Sequence, residues 1–182
     1  MRITVFMASS LDGFIADKNG SVEWLNNLSV EADPNEDYGY GLLLSKVDRL
    51  VMGSKTFNQV LDFGQWPYGD LPVIVLTRKS LPTSIPSEAK VSTLSGTATE
   101  LYAQFVRDGA KHIYLDGGDI VGQFSAVGLV DEFIITQVPA LLGDGIPLFN
   151  APLPSESWET LRVQNYPNGF VQTHMVKKES AS

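Results

Sequence analysis

Ile113-Tyr114-Leu115-Asp116-Gly117-Gly118-Asp119-Ile120-Val121-Gly122-Gln123-Phe124 is the stretch that decides the fold. An apolar strand pattern changes here into an apolar helical pattern across two adjacent glycines. A β-carbon at this junction would oppose a positive φ angle and would hold any ligand away from the backbone. The junction therefore indicates either a backbone-lined binding surface at a helix N-terminus or an ordinary tight turn between a strand and a helix.

The composition is that of one globular domain. The chain has 182 residues, of which 43% are hydrophobic and 19% are charged, so it can bury a sizeable core. No internal repeat or linker interrupts it. We expect a single domain over residues 1–178, followed by a disordered tail over residues 179–182.

The charge and the residue usage exclude several classes of protein. Thirteen basic against 21 acidic residues give a net charge of -8, which opposes binding to nucleic acid or to a membrane surface. No apolar run approaches membrane-spanning length, and the first apolar run is too short for a signal peptide. The chain has no cysteine, which excludes disulfides and thiolate metal sites and suits a cytoplasmic location. We expect no metal site.

Strand patterns alternate with helical patterns over the first 130 residues. Strands are predicted at residues 3–8, 49–52, 71–76, 90–94 and 113–116, and helices at 33–47, 54–61, 98–106 and 120–127. A further strand at 131–139, a glycine-rich loop at 141–149 and a β-hairpin at 158–177 complete the chain. This order predicts a mixed α/β sheet, whose ligands bind at the carboxyl ends of the parallel strands.

Two further stretches at predicted strand ends are candidates for binding an anion. Gly53-Ser54-Lys55-Thr56 joins a strand to a helix, so its free backbone N–H groups and its lysine would accept a phosphate. The spacing is not that of a P-loop. Thr77-Arg78-Lys79 sets two cations at the end of another strand, and it is either an anion site or an ordinary solvated loop.

Two other residues have both a functional and a structural interpretation. Trp24 either caps a pocket or pins a loop to the core. Asp37 lies near the start of the helix predicted from Asp33 and Pro34. There it is either a functional carboxylate or a solvated one that the helix dipole favours.

Five stretches together resemble the dihydrofolate-reductase-like superfamily, and within it the reductase domain of the bifunctional riboflavin-biosynthesis deaminase-reductase and its stand-alone relatives. They are ASSLDGFIA at 8–16, VMGSKTF at 51–57, VLTR at 75–78, DGG at 116–118 and PALLGDGIPLF at 139–149. The resemblance covers nearly the whole chain. It implies a mixed, mostly parallel sheet of about eight strands flanked by helices, with a C-terminal β-hairpin.

The resemblance also implies a reduced nicotinamide cofactor, usually NADPH, across the strand ends. Ala8 and Ile15 would offer backbone groups to the nicotinamide, and Gly117 and Gly118 would form a cis peptide beside it. The groups implied to contact the phosphates and the ribose are Gly53, Ser54, Lys55 and Thr56, then Thr77, Arg78 and Lys79, then Asp119, Ile120 and Val121. The family usually has arginine where Ser54 stands, so NADH remains an alternative to NADPH.

On the substrate side, the resemblance implies roles for four residues. Asp37 and Thr136 would line the pocket of a flat nitrogen heterocycle, with Trp24 beside them, and Asp37 would assist protonation. Asp12 matches the riboflavin-pathway branch and would contact a polar substrate.

The leading hypothesis is an NAD(P)H-dependent reductase that transfers hydride to a small heterocycle. Its named candidates are a ribosylaminopyrimidine of the riboflavin pathway and dihydrofolate. The alternative is a dinucleotide-binding module without turnover. The family implies a homodimer.

Overall fold

The computed structural model describes residues 1–29, 33, 35–150 and 152–178. The strands are β1 (Arg2–Ser10), β2 (Phe14–Ala16), β3 (Arg49–Gly53), β4 (Val73–Leu76), β5 (Val91–Leu94), β6 (His112–Asp116), β7 (Glu132–Val138), β8 (Ile146–Pro147), β9 (Trp158–Asn165) and β10 (Val171–Lys177). The helices are α1 (Glu23–Ser29), α2 (Tyr40–Leu44), α3 (Ser54–Asp62), α4 (Ala98–Arg107) and α5 (Gly118–Ala126).

Eight of the strands form one sheet in the order β5-β4-β3-β6-β1-β7-β10-β9, and β2 pairs with β8 outside it. The first six strands in that order are parallel, whereas β10 runs antiparallel to β7 and β9 runs antiparallel to β10. The predicted mixed, mostly parallel sheet of about eight strands with a C-terminal hairpin is therefore confirmed.

Alternate residues of the central strands pack into two cores, one on each face of the sheet, because successive side chains of a strand point in opposite directions. Val51 packs with α4 and α5, whereas its neighbours Leu50 and Met52 pack with α2 and α3. All three side chains are fully buried. Burial on both faces explains why the parallel strands are continuous apolar runs.

The centre of the sheet opens at its carboxyl edge. Strand β1 pairs with β6 only from Arg2 to Val5, but it continues beside β7 from Thr4 to Ser10. Beyond Val5, β1 and β6 therefore separate. The second half of β1 faces this opening on the side away from β7, and Asp116 ends β6 at its mouth.

The helix predicted from Asp33 begins seven residues later, at Tyr40. Tyr38 and Gly39 have φ angles of 56° and 84°, and this left-handed backbone cannot continue a right-handed helix. The predicted start at Pro34 lies outside the described residues. The sequence patterns also missed α1 and the short strands β2 and β8, which are too brief to show a clear period.

Residues 179–182, the predicted tail, also lie outside the part of the chain that the structure describes. Among the described residues, no helix has both the length and the apolar character needed to cross a membrane.

Candidate cofactor and substrate site

Three segments meet at the glycine junction between β6 and α5. A β-carbon on Gly117 would lie 2.4 Å from Thr56 Oγ1, and one on Gly118 would lie 2.6 Å from Ile15 Cδ1. A β-carbon on Gly53 would lie 3.3 Å from the side chain of Ile120. The glycines therefore let the start of α3, the start of α5 and β2 approach one another at the sheet opening.

The prediction of a cis peptide between Gly117 and Gly118 is wrong, since the described residues contain no cis peptide bond. Gly117 instead has φ 89° and ψ 128°, a region that residues with a β-carbon rarely adopt. This conformation turns the chain from β6 into α5 through trans bonds.

The helices α3 and α5 begin side by side without side-chain caps. Their N-cap residues are Gly53 and Gly117, and neither helix start has a side-chain capping bond. In contrast, Thr97 and Glu100 close the start of α4 with a reciprocal capping box. The uncapped starts leave backbone N–H groups free for an anionic ligand.

Charged side chains flank these two helix starts. Lys55 Nζ lies 3.3 Å from Asp119 Oδ2, and both side chains are exposed, so the pair joins α3 to α5 across the junction. Arg78 and Lys79 follow β4, the neighbour of β3, and both are exposed without an ion pair to any described residue. The Lys79 N–H donates to Thr77 Oγ1 over 3.0 Å, which shapes this loop.

Most of the predicted cofactor residues thus come together at one edge, with Ser54 in the first turn of α3. Val121 differs, because its side chain is fully buried in the core behind α5. Only the backbone of Val121 remains as a candidate for ligand contact.

The predicted substrate residues surround the other side of the opening. Ala8 of β1 pairs in register with Thr136 of β7, and Thr136 is buried. Trp24, like Ala8 and Tyr38, packs against the buried cluster of Val138, Tyr166 and Phe170. Its indole N–H is buried without a hydrogen-bond partner in the described structure. A buried donor without an acceptor is costly, so this N–H fits an acceptor atom of a ligand.

Asp37 has a clear structural task. One of its carboxylate oxygens accepts from the Gly39 N–H and the other from the Gly41 N–H, both over 2.8 Å. The side chain is exposed and lies just before α2 rather than inside it. Asp37 therefore stabilises the start of α2, whose leading residues Tyr38 and Gly39 reach the substrate side.

Asp12 is held by the loop that follows β7. Its carboxylate accepts hydrogen bonds from Ser10 Oγ at 2.6 Å, from the Leu142 N–H at 3.2 Å and from the Gly143 N–H at 2.8 Å. The Ser10 bond is the largest of the effects that hold the pKa of Asp12 below its usual value. These bonds fix the glycine-rich loop against the end of β1.

Asp116 is a candidate that the sequence patterns did not single out. Burial at the end of β6 raises the pKa of its carboxyl to about 6, against a smaller opposing effect of the Gly117 N–H, which donates to it over 2.8 Å. Tyr114 lies on the same face of β6, and burial followed by the charge of Asp116 raises its pKa. The signal in the sequence was an acidic residue at the end of an otherwise apolar strand.

Comparisons with known proteins agree on one family. The model of the RibD C-terminal domain matches residues 1–172. YwjB of Bacillus subtilis, described as uncharacterized, is 32% identical over 178 residues, which are 97% of this chain and 98% of YwjB. The riboflavin biosynthesis protein RibD of Corynebacterium ammoniagenes is 25% identical, and the match covers 84% of this chain but 47% of that protein.

The chain also resembles a solved crystal structure from Shewanella sp. PV-4. That protein carries the provisional name of a riboflavin biosynthesis protein. It is 37% identical with a TM-score of 0.88, and the match covers 98% of this chain and 100% of that one.

Proposed function

Because this chain belongs to the RibD C-terminal domain family, we propose that it is a reductase that transfers hydride from a reduced nicotinamide dinucleotide to a small heterocycle. The observation that carries the proposal is the pair of uncapped helix starts, α3 and α5, at the opening of the sheet. Both present unfilled backbone donors at the edge where open α/β sheets bind nucleotides.

The residues at this edge fit a nicotinamide dinucleotide. Gly53 and Gly117 let the two helix starts lie close enough to share a pyrophosphate, with Lys55 beside them. Arg78 and Lys79 would hold the additional phosphate of NADPH, and Thr77 would flank the ribose. Ser54 supplies no cation, so affinity for NADPH over NADH depends on the loop after β4.

The cofactor, when bound, supplies the hydride. The chain's own residues would then orient the heterocycle: Ala8 and Ile15 border the nicotinamide region, and the Trp24 N–H donates to an acceptor of the ring. Thr136 and Asp37 line the substrate side, and Asp12 holds the loop over it.

Asp116 would keep a proton near the reacting carbon, because its raised pKa of about 6 leaves part of the population protonated near neutral pH. Asp116 would thereby take the protonation role that the resemblance implies for Asp37. Since the Asp37 carboxylate already accepts two backbone N–H groups, Asp116 is the better candidate for the proton.

The deciding experiment has two stages. NADPH and NADH are titrated against the protein by quenching of tryptophan fluorescence, and then cofactor oxidation is followed with a panel that contains a ribosylaminopyrimidine and dihydrofolate. We expect micromolar binding and oxidation with the ribosylaminopyrimidine.

The alternative function is a dinucleotide-binding module, which predicts tight cofactor binding with no oxidation by any panel member. Absence of cofactor binding would contradict both functions. We further propose that the protein is a cytoplasmic homodimer.

A further inference from the structure

A cavity of about 290 Å³ extends from Phe6 and Tyr38, near the substrate side, to the amino ends of β1 and β6. It is enclosed by α2 on one side and by the β1, β7, β10 and β9 part of the sheet on the other. Its inner wall includes Arg2 and His112, which pair in register at the amino ends of β1 and β6. Arg2 is six residues before Ala8, or about 20 Å at about 3.3 Å per residue. The cavity volume is at the low end of small-molecule sites.

A buried polar network forms the floor of this cavity. Glu132 is buried, and its carboxylate is contacted by the Thr4 hydroxyl, by His174 Nε2 and by Arg2 Nε, the last at 3.0 Å. His112 Nε2 lies 2.8 Å from Thr4 Oγ1 and extends the network to β6. The negative charge of Glu132 is therefore compensated from three sides within the protein.

The remaining charges on the cavity wall are positive. Lys46, just after α2, and Arg162 of β9 line the cavity from opposite sides, and neither forms an ion pair with a described residue. The lining thus contains three permanent cations, including Arg2, and one carboxylate. This imbalance stands out in a chain whose net charge is -8. Among the nearest carboxylates of the described residues, Asp48 pairs with Arg49. The charges of Glu36 and Asp37 act on Tyr166, as that of Arg162 does with the opposite sign, but neither carboxylate forms an ion pair with Arg162.

Phe6, Leu43 and Ile134 form the apolar part of the wall between the charged ends. The cavity is also lined by Tyr38, Gly39, Leu42, Gln164 and Gln172. On the side nearest the substrate region, Gln172 Nε2 donates to the Tyr38 carbonyl and to Thr136 Oγ1, both over 3.0 Å. Gln172 therefore stands between Thr136 and the cavity.

We propose that this cavity is a second binding site, which takes a small organic anion with an apolar body. Lys46 and Arg162 hold the carboxylate or phosphate group, and Phe6, Leu43 and Ile134 pack against the body. The cavity shares Tyr38 and Gly39 with the substrate side but no lining residue with the nicotinamide edge, so occupancy of that edge does not require occupancy of the cavity.

The test is a calorimetric titration of the full chain with benzoate, phenyl phosphate and the neutral analogue benzamide. We expect both anions to bind with a dissociation constant on the order of 1 mM, as befits fragments of this size, and benzamide to bind at least about tenfold more weakly. Tighter binding of phenyl phosphate assigns the site to phosphate esters, and tighter binding of benzoate assigns it to carboxylates.

Variants locate the site. Lys46→Gln and Arg162→Gln each lower the affinity for the anions about threefold to tenfold. Arg107→Gln, which removes an exposed cation from α4, leaves that affinity unchanged. Both cavity side chains are exposed at their ends, so the variants keep the wild-type circular dichroism spectrum. Saturating NADPH does not displace either probe.

Three results would each overturn the proposal: equal binding of benzamide and benzoate, unchanged affinity in both cavity variants, or displacement of the probes by NADPH. The last result would assign the probes to the nicotinamide edge.

Discussion

Asp116 shows how the position of one residue sets its chemistry. The carboxyl ends an apolar strand, where burial raises its pKa to about 6. The folded state therefore binds the proton more tightly than the unfolded chain does, and the free energy of unfolding falls as the pH rises through this range. A residue retained at such a cost is a candidate for function.

The first prediction concerns the stability cost of Asp116. Asp116→Asn keeps the acceptor for the Gly117 N–H but removes the buried charge. We expect it to raise the free energy of unfolding by up to about 3 kcal/mol near pH 8, and by less near pH 5.5, where the wild-type carboxyl is protonated. Urea denaturation followed by circular dichroism measures the difference. A gain equal at both pH values would contradict the argument, and Asp108→Asn is the exposed control.

The second prediction concerns Arg78. Arg78→Ala should weaken NADPH about tenfold or more and NADH by less than about twofold, because only NADPH carries the additional phosphate. Fluorescence titrations with both cofactors measure the ratio, and Arg107→Ala controls for the loss of net positive charge. Equal losses for NADPH and NADH would remove Arg78 from the phosphate site.

Sequence patterns identified residue types better than residue partners. Gly53, Gly117 and Gly118 stood out because a strand-to-helix junction needs a residue without a β-carbon. The partners of Asp12 and Asp37 could not be read from the sequence, since both carboxylates accept backbone N–H groups of loops. Asp116 stood in the DGG stretch without a predicted role, because burial, which sets its pKa, is a property of the folded sheet.

At the scale of the elements, the capping of a helix start distinguishes a structural helix from one that can bind a ligand. Thr97 and Glu100 cap α4, whereas glycine precedes α3 and α5. An anion can therefore accept hydrogen bonds from the free backbone N–H groups of α3 and α5, whereas the side chains of Thr97 and Glu100 already cap α4. Long apolar strands and the helix with a capping box were predictable, but the start of α2 depended on the left-handed Tyr38 and Gly39.

The third prediction tests the junction between α3 and α5. Gly117→Ala adds a β-carbon 2.4 Å from Thr56 Oγ1 at a positive φ angle, so it should displace the start of α3. We expect a loss of about 1–3 kcal/mol in unfolding free energy and at least about a tenfold loss of NADPH affinity.

Gly109→Ala is the matched control for that variant. Gly109 also has a positive φ angle, but a β-carbon there meets nothing within 4 Å. It should lower stability through backbone strain and leave NADPH affinity unchanged. Equal affinity losses in the two variants would mean that general destabilisation, rather than the junction, controls binding.

The fourth prediction concerns Asp37. Asp37→Ala removes the acceptor for the Gly39 and Gly41 N–H groups and should cost about 1 kcal/mol of stability. Asp37→Asn keeps one acceptor and should cost less. If Asp37 also serves the substrate, Asp37→Asn loses turnover with unchanged cofactor affinity. Full turnover in this variant would restrict Asp37 to its capping role.

At the scale of the whole molecule, strand β9 forms one edge of the sheet and exposes Leu161 and Val163 to 53% and 58%. Exposed apolar side chains on an edge strand favour association with another chain. This surface is the natural candidate for the proposed homodimer interface.

The fifth prediction tests that interface. Light scattering should give a wild-type mass of twice the 19.9 kDa chain, and Leu161→Lys should shift it toward a single chain. Val106→Lys, at an equally exposed apolar residue on α4, should leave the mass unchanged. A wild-type mass of one chain would contradict the dimer directly.

At this scale the sequence predicted the class of sheet but not the order of its strands. The alternation of strands and helices pointed to a mostly parallel sheet, but nothing local in β1 revealed that β6 and β7 would flank it. The opening between β1 and β6 results from that pairing, so its place emerged only in the fold.

The central place of β1 also affects how the protein is made. Its partners, β6 and β7, begin more than 100 residues later in the chain. During synthesis, a nearly continuous apolar strand must therefore wait unpaired until most of the polypeptide has left the ribosome. Contacts of such long sequence separation slow folding and prolong the exposure of apolar segments that are prone to aggregation. Expression at a lower temperature or with added chaperone capacity should accordingly raise the soluble yield.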